Sequence, residues 1–159
     1  MTKVRGRIPS GSPPTAYVVE IEKWNWSYTF GLNAVRGELD PFMDFRHLTV
    51  LGVLVRPRRM EGEEVEFTVI PAHDLNQVER LKHKNPLAVG TLGRNRRTKI
   101  IQGHLSIPQD VLGPILSMLA AERLKFIVMN GTKIGRSHAM IRSYRFGAAL
   151  SEDDLDDGE

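Results

Sequence analysis

A chain of 159 residues with 41% hydrophobic and 26% charged content has the size and composition of one soluble globular domain, which excludes a fibrous protein and wholesale disorder. It has no cysteine, so disulfides, thiolate metal sites and cysteine nucleophiles are excluded as well. The net charge of +3 is unevenly laid out: six of the nineteen acids crowd into residues 151–159, which leaves a body of +9 and a tail of −6. A basic body with an acidic tail points to a polyanionic partner, or to a surface held back from one.

Residues 1–15 are rich in Gly, Pro and Ser and are expected to be flexible. Lys3, Arg5 and Arg7 are followed by a Pro- and Ser-rich stretch where a signal peptide would be apolar, and residues 48–55, the longest apolar run, are far short of the roughly 20 that span a bilayer. No membrane contact is expected and the address is read as cytoplasmic. Tyr17, Val19 and Ile21 then alternate with polar or smaller residues on odd numbers, whereas Trp24, Trp26, Tyr28, Phe30 and Leu32 alternate on even ones. Both patterns have the period of a strand, so one face must switch near Lys23 by a bulge or bend, and the four rings are expected on one mostly buried side.

Residues 47–55 are apolar on both parities and predict a strand covered on both faces, ended by Arg56-Pro57. A hairpin through residues 56–62 leads to a strand over 63–70, where Val65, Phe67 and Val69 alternate with Glu64, Glu66 and Thr68. Asp74 and Gln77 resemble a capping box before a short helix with Leu75, Val78 and Leu81 on one face. Residues 86–92 and 99–107 read as a second hairpin with three arginines at its tip. Residues 109–123 have helical spacing interrupted by Gly113-Pro114, where a restart with proline in the first turn is expected. A buried strand over 124–129, a turn at Asn130-Gly131 and a last strand over 139–146, with Met140, Arg142, Tyr144 and Phe146 on one side, complete the chain.

The elements predict a mainly β (α+β) domain over residues 16–150, an antiparallel β-sandwich or partly closed barrel with about seven strands and one or two accessory helices. A flexible segment precedes it, and residues 151–159 are expected to form a disordered acidic tail.

Residues 80–109 contain no acid and seven bases, and the tip residues Arg94, Arg96, Arg97 and Lys99 are the strongest functional candidates. The planar arginine fork suits paired phosphate or carboxylate oxygens, and a hairpin tip can enter a groove. Arg136, Arg142 and Arg145 extend the candidate polyanion surface. A solvated loop kept soluble by its charge is the plain alternative. The stretch from Gly131 to Ser137 imitates a phosphate-binding loop but has three residues between its glycines where four are needed, and Arg136 where lysine belongs.

The histidines are scattered, no pair stands at helical ligand spacing, and no catalytic fingerprint is present, so no catalytic residue, metal ligand or cofactor is assigned. The expected function is a non-enzymatic binding or assembly module with a basic surface for nucleic acid or an acidic protein surface. The alternatives are a structural subunit of a protein assembly, as a homo-oligomer or through strand edges and the aromatic row, and a hydrolase built around His47 or His73 with Glu38, Asp40 or Asp44.

Overall fold

The computed structural model describes residues 13–32, 42–72, 88–135 and 138–156. The alternating pattern of the first third forms β1 (Thr15–Leu32), which pairs antiparallel with β2 (Phe42–Arg56) from Val18 opposite Arg56 to Leu32 opposite Phe42. The ladder shifts between Ile21 and Lys23, skipping Glu22, which is the bulge that the change of parity requires. Gly52 stands at this point opposite Ile21, so close to the Glu20 carbonyl that a side chain there would overlap it.

A turn containing the 3-10 segment Arg58–Met60 leads into β3 (Glu64–Ala72), antiparallel to β2. The second expected hairpin is β4 (Gly90–Arg94) and β5 (Ile101–Pro108), followed by α1 (Gln109–Ala120), β6 (Phe126–Gly131), β7 (Ala139–Gly147) and the single helical turn α2 (Glu152–Leu155). The expected helix over residues 74–81 lies outside the described residues.

The mainly β reading holds, with seven strands and two helices among the described residues. The strands form one closed ring, in the order β1-β2-β3-β5-β4-β7-β6, rather than two stacked sheets. The ring closes because β1 pairs with β6 over Thr15 to Glu20 on the edge opposite β2, and the bulges let the sheet bend. The all-antiparallel expectation also fails at one seam. β5 lies between β3 and β4, so it runs antiparallel to its hairpin partner and parallel to β3.

Inward side chains fill the ring, among them Tyr17, Val19, Leu48, Val50, Phe67, Leu105, Ile127 and Ile141. β5 ends and β6 begins at the same end of the ring, so α1 starts and finishes there and closes it with Leu112 and Leu119. α1 runs through Pro114 without the expected restart. Pro114, the sixth of twelve residues, removes one backbone bond, while Leu112, Ile115, Leu116 and Leu119 keep an unbroken apolar stripe against the core.

Two side-chain assignments are corrected by the ladder. β7 skips Arg142 between Asn130 opposite Ser143 and Gly131 opposite Ile141, so Met140 points outward while Tyr144 and Phe146 pack on the core, instead of sharing one side. The rings of β1 are not mostly buried: Trp26 is half-buried, but Trp24, Tyr28 and Phe30 are 38%, 54% and 63% exposed. The strand is as expected. β1 and β2 run on past their outer partners, so among the described residues no strand flanks the far part of the ribbon.

Candidate polyanion-binding end

The end of the ring opposite α1 gathers the β2–β3 turn, the β4–β5 turn and the described part of the β6–β7 connection. The β4–β5 turn is built around Asn95. Its backbone N–H donates to the Ile100 carbonyl at 2.9 Å, and its carbonyl accepts from the Lys99 N–H at 2.9 Å. Its side-chain oxygen accepts from the backbone N–H groups of Arg97 and Thr98 at 2.9 and 3.3 Å, and its side-chain nitrogen donates to Gln102 at 3.1 Å. This is the local bonding that makes Asn a turn former. Lys99 closes the turn in the left-handed region, with φ of 65°.

Arg96, Arg97 and Lys99 project from this turn into solvent, and none of them is ion-paired among the described residues. Arg94 behaves differently. Its Nη1 and Nη2 donate to the two carboxylate oxygens of Glu63 at 2.6 and 2.9 Å, and this pairing raises its already high pKa further. Arg94 is therefore a brace for the turn and not a free cation.

Two further cations stand at the same end, of which sequence reasoning missed Arg59. Arg59 is exposed on the β2–β3 turn, and Lys133 is exposed on the β6–β7 connection. Tyr17 orders the backbone around Lys133. The Tyr17 hydroxyl donates to the Thr132 carbonyl at 2.7 Å and accepts from the Ile134 N–H at 2.9 Å, fixing the backbone on both sides of Lys133. Burial pushes the Tyr17 pKa up, while the Ile134 hydrogen bond and the nearby positive charge of Arg59 act the other way. The adjacent arginines Arg58 and Arg59 inside a hairpin turn were the available signal. It was outweighed by the larger run in residues 94–99.

The single continuous face expected from the sequence is divided. Leu92 pairs with Ala139, so Arg145, six residues further along β7, lies roughly 20 Å up the strand from the level of the turn. Arg142 is exposed at the β7 bulge. Arg145 is ion-paired with Asp154 of the acidic tail, and Arg136 lies outside the described residues.

Within the acidic tail, Glu152–Leu155 form a helical turn with partners on the strands. Ser151 and Asp154 form a reciprocal capping box that starts α2, and the Arg56 Nε donates to the Leu155 carbonyl at 3.1 Å. Arg56, Val18, Val128 and Arg145 form one row across four neighbouring strands. Val18 and Val128 are buried although they lie outside the inward core, and the arginines at the two ends of the row hold adjacent tail residues, Asp154 and Leu155. Six acids in nine residues repel one another, but two basic anchors and a capped turn offset that repulsion locally.

The hydrolytic alternative gains no cluster. His47 meets the Thr49 hydroxyl at 3.4 Å, Asp44 is ion-paired with Arg46 at 3.2 Å, and among the described residues no three His, Cys, Asp or Glu side chains converge as for a metal. Glu38, Asp40 and His73 lie outside the described residues. No helix among the described residues is long and apolar enough to cross a membrane. No family model, no curated protein and no solved structure matches the chain.

Proposed function

We propose that this chain is a non-enzymatic binding module whose turn end engages a polyanion, with nucleic acid as the favoured class. The observation that carries this reading is the Asn95-ordered turn, which holds Arg96, Arg97 and Lys99 exposed and without acidic partners among the described residues, at the same end as Arg59 and Lys133. Preorganised cations bind phosphates with less loss of side-chain and loop freedom than cations on a loose loop. Glu61 and Glu64 stand nearby, but Glu63 is taken up by Arg94, so the five cations remain in excess.

The test is fluorescence anisotropy of labelled single- and double-stranded oligonucleotides with the full chain at low salt, beside a variant with Arg96, Arg97 and Lys99 changed to Ser. The reading expects binding by the parent chain and a clear loss in the variant. No binding by the parent to either form at low salt rejects nucleic acid. Binding that the variant retains in full moves the site away from the turn.

A further inference from the structure

Past the ring, β1 and β2 continue as a two-stranded arm. β6 stops pairing with β1 at Glu20, and β3 stops pairing with β2 at Leu48. Residues 24–32 therefore have β2 on one side and, among the described residues, no strand on the other. Trp24, Tyr28, Phe30 and Leu32 share one face of this stretch with Phe42 of β2, and all five are exposed, Leu32 to 67% and Phe42 to 57%. Phe30 and Phe42 stack at 5.7 Å with their planes 10° apart, so the rings are ordered, and Arg46 and Asp44, opposite Tyr28 and Phe30, share the face with them as an ion pair. These side chains expose on the order of 500 Å² on one face, at the upper end of the patches that monomers carry.

We infer that this arm pairs with the arm of a second copy of the chain, the β1 edge of one against the β1 edge of the other, antiparallel about a two-fold axis at Tyr28. The open stretch 24–32 is nine residues long with Tyr28 at its centre. Antiparallel pairing about that residue sets Trp24 opposite Leu32, Trp26 opposite Phe30 and Tyr28 opposite its own copy, all on the apolar face. On the other face Asn25 meets Gly31 and Ser27 meets Thr29. Every cross-strand pair is thus apolar with apolar or small uncharged with small uncharged, which is the self-complementarity an isologous interface requires.

Charge selects the same partner. Residues 24–32 contain no charged side chain, so two basic bodies can pair here without like charges meeting across the seam. The arm's Asp44 and Arg46 are ion-paired with each other and leave no net charge to attract an acidic or a basic peptide. A long, uncharged, aromatic strand edge is also the kind of edge that proteins otherwise cover or interrupt.

The absence of cysteine makes the test direct. Tyr28→Cys places the two sulfurs of a dimer across the axis, where opposed residues of antiparallel strands are about 4.5–5.5 Å apart at Cα, within disulfide range. Phe45→Cys, on the β2 edge, is the control. The full chain should sediment as a dimer below about 0.1 mM. Under mild oxidation Tyr28→Cys should cross-link to dimer while Phe45→Cys does not, and Phe30→Lys should give a monomer with an unchanged circular dichroism spectrum. A chain that stays monomeric through that range, preferential cross-linking of Phe45→Cys, or a Phe30→Lys variant that remains a dimer would each overturn the pairing.

Discussion

Arg94 and Glu63 face each other across β5, with both guanidinium nitrogens on both carboxylate oxygens at 2.6 and 2.9 Å. The pair ties the start of β3 to the end of β4 and divides the arginines of the turn into one that braces and two that project. Each partner is about one-third exposed, so solvent screening keeps the expected cost of Arg94→Ala to about 0.5–1 kcal/mol. Glu63→Gln should do something else: it releases Arg94 as a further free cation. Oligonucleotide titrations should show a salt slope about one unit steeper in Glu63→Gln and nearly unchanged in Arg94→Ala.

Lys99 couples charge to backbone strain, and the two can be separated. Its φ of 65° costs a non-glycine residue roughly 1–2 kcal/mol, which glycine avoids while losing more entropy on folding. Lys99→Gly is therefore expected to keep stability or gain up to about 1 kcal/mol in urea denaturation, while the salt slope falls by about one unit. Lys99→Ala removes the same charge and keeps the strain, so its stability should not rise.

Tyr17→Phe should loosen the β6–β7 connection. The change leaves the Thr132 carbonyl and the Ile134 N–H without their partner, at a cost of about 1–3 kcal/mol. The pH dependence follows from the raised Tyr17 pKa: its contribution is complete below the tyrosine value of the unfolded chain, near 10, and is lost as pH rises through the folded value. Tyr144, whose hydroxyl donates to the Ser106 carbonyl at 2.6 Å, is shifted upward by burial as well. Alkaline unfolding monitored at fixed temperature should be shallower in Tyr17→Phe than in the parent, without vanishing.

Much of this architecture was legible in the sequence because a strand's period of two is a local property. The odd-to-even change of apolar parity around Lys23 located a bulge that the β1–β2 ladder places at Glu22. What an alternating strand faces is not local. Trp24 to Leu32 has the same pattern whether a second layer covers it or not, and its exposure depends on β6 and β3 ending their pairing early. The parallel β3–β5 seam and the ring closure are likewise choices among partners distant in sequence. At the candidate site, Arg96, Arg97 and Lys99 could be read from charge and turn chemistry. The diversion of Arg94 to Glu63 and of Arg145 to Asp154 depends on which strands become neighbours.

The tail offers an acid-sensitive contact. The Ser151 N–H and hydroxyl and the Arg145 guanidinium hold the Asp154 carboxyl below its ordinary pKa. Its contribution is therefore present above the unfolded carboxylate value, near 4, and is lost as pH falls through the lower folded value. Asp154→Asn should mimic the acid state at neutral pH. Deleting residues 151–159 removes the Arg56–Leu155 and Arg145–Asp154 contacts and should cost about 0.5–1 kcal/mol, against the near-zero cost expected of a disordered tail. NMR of residues 151–156 from pH 7 to pH 2 should show their amides becoming mobile together below about pH 4.

The most direct test of the polyanion reading is the slope of log affinity against log salt for a double-stranded oligonucleotide, measured for the full chain and for the variant with Arg96, Arg97 and Lys99 changed to Ser. Each phosphate contact contributes about −0.9, so contacts from Arg59, Arg96, Arg97, Lys99 and Lys133 give a slope of about −4 to −5 in the parent and about −2 in the variant. Equal slopes in the two proteins, or no measurable affinity in the parent at low salt, would contradict it.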